Sequence, residues 1–215
     1  MTELRDGELS EIERRYARRN AQGKANLYDP LLPVNIAFRQ EREKVLAKTL
    51  RALLGERPIS SLRILEIGCG GGRNLVDFIG WGALPGNCTG NELLSERVEV
   101  ARRNLPPTVT IVQGDASSLD FADGSFDIIL QSTVFSSILD KELRSAVANN
   151  MWRMLAKDGG IIWYDFTMDN PRNADVAGIK QAEIRSLFPQ ARYDATKTTL
   201  APPIARRVTK LSPGL

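Results

Sequence analysis

Leu65-Glu66-Ile67-Gly68-Cys69-Gly70-Gly71-Gly72 is the stretch that decides the fold of this chain. The apolar run Leu62 to Ile67 reads as a short buried strand, the glycine cluster as a tight turn, and Gly72 to Ile79 as a helix. Such a turn lets a ligand approach the backbone closely, and the helix that follows offers unpaired N–H groups. Spacing narrows the choice of ligand. A Walker-type phosphate loop carries Lys-Ser/Thr after its last glycine, where Arg73-Asn74 stands, and the dinucleotide pattern G-x-G-x-x-G needs a glycine at position 73. The pattern present is E-x-G-x-G-x-G, with Glu66 two residues before Gly68. A carboxylate at a strand end repels a pyrophosphate and suits a ligand bearing an ammonium group.

Outward from this loop, strand and helix patterns alternate. Further strands are expected at Asn87–Glu92, Thr108–Gln113, Phe126–Gln131 and Gly160–Phe166, with helices at Ser95–Asn104 and Asp140–Ala156. In the latter helix Leu143, Val147, Met151, Met154 and Leu155 fall on one face. Upstream, Leu46, Leu50, Leu53 and Leu54 share a face of a helix running from about Asn35 to Gly55. The segment from Tyr16 to Pro33 carries turn signals and little periodicity, and reads either as a cap over the site or as a packed arm. Alternation of this kind indicates a parallel sheet covered on both faces, with its ligand site at the carboxyl ends of the strands.

At these motifs the chain resembles the class I S-adenosylmethionine-dependent methyltransferases, over roughly residues 60–170. The resemblance implies that Glu66, Gly68, Cys69, Gly70 and Gly72 form the first cofactor motif, toward the methionine end, with Cys69 a packed thiol in a place where the family often has a small residue. Glu92 ends the second strand 20 positions after Gly72, where the family sets a carboxylate on the ribose hydroxyls; a carboxylate can accept both hydrogen bonds of a vicinal diol. Gln113-Gly114-Asp115-Ala116 looks like the adenine motif, Asp115 accepting from the exocyclic amine and an adjacent backbone N–H addressing a ring nitrogen, with a loop-start cap as the plainer role of Asp115. The run Asp123 to Gln131 resembles the fourth motif; Gln131 is assigned to the cofactor, and Asp127 lies early enough on the strand to be structural. The fold implied is α/β: a Rossmann-like, doubly wound, mostly parallel sheet of six or seven strands with helices on both faces. It divides into an N-terminal helical cap or arm, residues 1–58, and a core, residues 59–215, within a single domain. Ala191–Leu200 is the candidate sixth strand, and residues 201–215 offer little signal for a seventh. An open sheet edge would then invite homodimerisation.

Methyl transfer from a sulfonium is an in-line displacement in which alignment supplies much of the rate, so no nucleophilic side chain is required. A hydroxyl acceptor still benefits from a base. Asp165, in Trp163-Tyr164-Asp165-Phe166, is the acid to test first, although it could equally bind substrate or cap a loop. Phe135, Tyr164 and Arg172 are candidate acceptor contacts, Arg172 for a phosphate or carboxylate. Asn170-Pro171-Arg172-Asn173 and Glu183 to Pro189 resemble a bacterial subgroup associated with small molecules and cell-envelope glycans, which makes a sugar hydroxyl or other polar group a plausible acceptor. Gln131-Ser132-Thr133-Val134-Phe135 replaces the Asn/Asp-Pro-Pro-aromatic motif of enzymes that methylate adenine or glutamine amines.

Composition sets the outer bounds. With 42% hydrophobic and 26% charged residues in 215, the chain can bury one sizeable α/β core, and no apolar run approaches the roughly 18 residues of a membrane span. Histidine is absent, which removes His-dependent triads, His-ligated zinc and the histidine near the site of many small-molecule relatives. Two cysteines, Cys69 and Cys88, show no disulfide framework or metal-ligand spacing, and together with a charged N-terminus they fit a reducing cytoplasm. No metal is expected. The net charge of +3 is uneven: residues 172–215 hold eight Lys/Arg against three Asp/Glu. The expected function is therefore S-adenosylmethionine-dependent O-methylation of a small molecule, a sugar or other polar acceptor, with S-adenosylhomocysteine as product. The rivals are an RNA methyltransferase, favoured by the basic C-terminus but lacking a recognisable RNA-binding module, and a catalytically silent cofactor-binding scaffold.

Overall fold

A computed structural model describes residues 2–21, 29–171 and 173–198. Five strands, β1 (Ile64–Ile67), β2 (Cys88–Glu92), β3 (Thr110–Gln113), β4 (Phe126–Ser132) and β5 (Leu155–Tyr164), form one parallel sheet in the order β3-β2-β1-β4-β5. The helices are α1 (Thr2–Ala21), α2 (Pro33–Leu54), α3 (Arg73–Gly80), α4 (Ser95–Asn104), α5 (Lys141–Met154) and α6 (Gln181–Leu187). Strand β1 is buried at every position, because it lies centrally with helices on both faces.

Alternation along β1 sorts the core into two layers. Ile64 packs with Leu46, Leu50 and Leu54 of α2, Leu75 and Phe78 of α3, and Ala101 of α4. Leu65 and Ile67 point the other way, to Leu143, Val147 and Met151 of α5 and to Ile12 of α1. Chain order reverses between β1 and β4, so the crevice of this doubly wound sheet opens at the carboxyl ends of those two strands. The glycine turn after β1 and the turn after β4 flank it.

Three expectations need correction. The sheet has five strands among the described residues, where six or seven were expected: residues 191–198 of the candidate sixth strand are irregular, and residues 199–215 lie outside the described part. The stretch around Tyr16 is helical, α1 continuing to Ala21. Leu53, placed on one face of α2 with Leu46, Leu50 and Leu54, is 37% exposed, whereas those three are buried. Asp127 takes the structural role expected of it: its carboxylate accepts from the backbone and guanidinium of Arg63 at 2.9 and 3.0 Å, and those bonds hold it below the usual carboxylate range against the opposing effect of burial.

Candidate cofactor-binding and active site

The glycine turn is built from its conformations. Gly68, Gly70 and Gly72 all have positive φ, and at Gly68 a Cβ would lie 2.5 Å from Cγ2 of Val134. Here β1 must turn sharply beneath the β4 turn, which only glycine permits. Gly68→Ala is expected to destabilise the fold by about 1–3 kcal/mol of overpacking, with about 1–2 kcal/mol more from the left-handed backbone. A urea midpoint unchanged from wild type would contradict this close approach.

Backbone and carboxylate bonds then fasten the turn to β2. Cys69 N donates to Asn91 O at 2.8 Å, Gly70 N to Glu92 Oε2 at 2.8 Å, and Leu94 N to Glu92 Oε1 at 3.0 Å. Glu92 is 5% exposed yet lies on the wall of the crevice. Asn91 carries the same frame onward, its Nδ2 donating to Gly114 O at 2.8 Å beside Asp115. Asp115 accepts from Ser117 N at 2.8 Å and so caps the turn that follows it.

Glu66 is the most constrained acid. Side-chain alternation directs it into the α2–α3 layer, where it is 1% exposed. Asn74 Nδ2 donates to its Oε1 at 2.5 Å, while Oε2 is buried without a hydrogen-bond partner. Burial pushes the carboxyl up to about 8, against the Asn74 bond and the positive charge of Arg42, which pull it down. The Arg42 guanidinium also stands 5.9 Å from the ring centroid of Tyr164. A buried carboxylate oxygen lacking a donor, with a cation nearby and a glycine turn next to it, suits a ligand carrying an ammonium group and a carboxylate.

The cavity along the strand ends is lined by Ile67, Gly68, Asn91, Glu92, Asp115, Ala116 and Thr133, and on its outer side by Leu9, Ile12 and Tyr16 of α1. Gln131 is fully buried behind this wall, its Oε1 accepting from Val134 N at 3.1 Å. Phe135 is likewise core, 0% exposed and 4.3 Å from the Trp163 ring. Cys69 is a buried thiol whose pKa burial raises, and Cys88 is pushed up to about 11 by the same cause. Asp165 has both oxygens engaged, accepting from Ser136 N at 3.1 Å and Phe166 N at 2.9 Å. Of the three roles open to it in the sequence, these contacts are those of a loop cap. Arg172 lies outside the described residues. Sequence reasoning missed Arg42, Asn74 and Asn91, because isolated polar residues on helices and mid-strand carry no motif; the eight-residue step from Glu66 to Asn74 across a strand–turn–helix unit was the available signal.

Residues 64–159 match the family described as methyltransferase domain. The ubiquinone biosynthesis O-methyltransferase of Mesorhizobium japonicum is 31% identical over 147 residues, covering 67% of this chain and 55% of that one. The Brucella anthropi protein of the same name is 28% identical over 147 residues, with 67% and 56% covered. The chain thus spans about half the length of the curated relatives it matches. Among solved structures, the YcgJ protein of Bacillus subtilis superimposes with a TM-score of 0.55 at 25% identity, covering 68% of this chain and 65% of that one. The first four of the five parallel strands, the start of the fifth, the glycine turn after the first and the acid at the end of the second fall within residues 64–159, the segment that the family matches. Residues 64–159 thus carry a methyltransferase domain, and over that domain the chain is similar to the class I S-adenosylmethionine-dependent methyltransferases, whose cofactor is S-adenosylmethionine.

Proposed function

We propose that the chain methylates a hydroxyl of a small polar acceptor. When bound, the cofactor supplies an electrophilic sulfonium methyl. The observation that carries the reading is the buried Glu66 Oε2 without a donor, beside Arg42 and behind a glycine turn tied to Glu92. In this reading Glu66 and Arg42 hold the ammonium and carboxylate of the methionine end, Glu92 the ribose diol, and Asp115 with Ala116 the adenine. The turn from Ser132 to Val134 borders the methyl, and Tyr164 faces the acceptor. Alignment then does most of the catalytic work. The names of the curated relatives support oxygen as the methylated atom; a sugar or comparable polar hydroxyl is the acceptor class favoured here. Incubating the protein with cell-extract metabolites and isotopically labelled cofactor tests this, through acceptors that gain a labelled methyl. Labelled RNA in place of a metabolite would favour the RNA reading, and cofactor binding without any labelled product would favour the scaffold.

Helix α1 acts, in this proposal, as a cap over the adenine end. Arg15 of α1 pairs with Glu8 at 2.8 Å and donates to Ser137 O at 3.0 Å, and Glu8 accepts from Leu139 N at 2.8 Å. Tyr16 lies against Arg97 of α4, 4.4 Å from guanidinium carbon to ring centroid, while its hydroxyl is 3.2 Å from Ser137 Oγ. Tyr16→Ala is expected to weaken S-adenosylhomocysteine binding by about tenfold, roughly 1.4 kcal/mol of lost apolar and cation–π contact, with little change in core stability. Calorimetry giving wild-type affinity would remove α1 from the site.

A further inference from the structure

Thr133 is the sole non-glycine residue with positive φ, at 59°, among the described residues, and it lines the cavity directly after β4. A β-branched residue is strained in that conformation, and such strain persists only where neighbouring groups enforce it. The enforcing groups are identifiable. Thr133 N donates to Tyr164 O at 2.8 Å, and its carbonyl accepts from Ser137 Oγ at 3.1 Å. Gln131 Oε1 holds Val134 N, and Asp165 Oδ2 holds Ser136 N. Gln131 Nε2 donates to Tyr164 O at 3.4 Å and Ser136 Oγ to Thr133 O at 3.4 Å, so with the Asp165 bond to Ser136 N the residues before and after the strained position are tied to the end of β5. The turn fixed in this way lays Val134 against Gly68, and its residues 132–134 line the cavity together with Gly68.

We infer that Asp165 is a positioning residue, its carboxylate latching the turn 131–137 in the strained form that completes the cofactor cavity. The inference rests on the cofactor assignment made above. A general base and a latch differ in three readouts. Loss of a base leaves cofactor affinity intact. Loss of the latch lets Thr133 relax, so Asp165→Asn, which offers one acceptor oxygen in place of two, should weaken S-adenosylhomocysteine binding by about tenfold. It should also speed amide exchange at Val134 and Ser136 by a similar factor, about tenfold, because local opening of the turn becomes easier. Relieving the strain should then repair the defect: a glycine adopts the left-handed conformation at no steric cost. Thr133→Gly in the Asp165→Asn background is therefore expected to bring the affinity back to that of Thr133→Gly alone.

The experiment measures S-adenosylhomocysteine affinity by calorimetry and amide exchange by mass spectrometry for wild type, both single variants and the double variant. Weakened binding and faster exchange in Asp165→Asn, both recovered in the double variant, support the latch. Unchanged affinity and exchange in Asp165→Asn overturn it, as does a defect that Thr133→Gly does not repair. If Asp165→Asn fails to fold, Asp165→Glu, which shifts the carboxylate from Ser136 N by one methylene, carries the same test. Failure of the wild type to bind S-adenosylhomocysteine would instead refute the cofactor assignment, while the exchange measurements still decide whether the latch exists.

Discussion

Replacing Glu66 with glutamine should flatten the pH dependence of stability in the ligand-free protein and sharply weaken cofactor binding. The Glu66 carboxyl is raised from 4.5 to about 8, chiefly by burial, so the folded state keeps its proton over a range in which the unfolded chain has lost it. A raised folded pKa means that the stability this group allows is fully present below pH 4.5 and is lost as pH climbs through about 8. At about 1.4 kcal/mol per unit, the loss amounts to several kcal/mol across that window. Glutamine cannot ionise, so the variant should overtake wild type in stability toward pH 8 and be little different near pH 5. Binding should move the opposite way. An incoming ammonium supplies the donor that Oε2 lacks, so wild-type affinity should rise from about pH 6 to 8, and Glu66→Gln should lose about ten- to a hundredfold with that rise abolished. Parallel stability curves for the two proteins from pH 5 to 8 would show that Glu66 is not the proton-linked group.

Glu92→Ala should be the most damaging single change to cofactor binding. In the proposed site the carboxylate would do more than accept from the ribose: it also satisfies Gly70 N and Leu94 N, one in the glycine turn and one at the entrance to α4. Alanine leaves both donors without that acceptor, at about 1–3 kcal/mol for each that stays buried and unpaired, and takes a further 1–3 kcal/mol or so from the bound ribose. The expected result is a fall in melting temperature together with a dissociation constant weakened about a hundredfold, since the turn itself loosens. Glu92→Gln, which keeps one acceptor oxygen, should fall between. An unchanged dissociation constant in Glu92→Ala would place the ribose partner elsewhere.

The parts of this site that were legible in the sequence share one property: local chemistry forces them. Gly68, Gly70 and Gly72 announce a turn because other residues cannot take its φ angles, and Glu92 and Asp115 follow at strand ends that the apolar pattern had already marked. The central strands β1, β2 and β4 were legible because they are largely buried, whereas β5 runs from Leu155 to Tyr164, starting five residues before the expected Gly160 and inside the stretch expected to be helix. What stayed hidden depends on distant partners. Helix α1 is mostly polar and is held by tertiary contacts, Arg15 to Ser137 O and Glu8 to Leu139 N, so its sequence left a cap and a packed arm undistinguished. Thr133 is not a turn-forming residue, and its left-handed backbone comes from Tyr164, Gln131 and Asp165. The same limit applies to the sixth strand: Ala191–Leu200 has strand-like residues, but no neighbouring strand pairs with its described part, which ends at residue 198.

The central claim is that the crevice between β1 and β4 is a sulfonium-cofactor site rather than a dinucleotide site. Calorimetric titration of the full chain with S-adenosylmethionine and S-adenosylhomocysteine, with NAD as the control, tests it most directly. The expected result is a single site that saturates in the micromolar range with either sulfur compound. At a hundredfold excess over the dissociation constant the protein should also gain about 2.7 kcal/mol of stability, and NAD should give no heat. Binding of NAD with none of either sulfur compound, at concentrations of about a millimolar, would contradict the account.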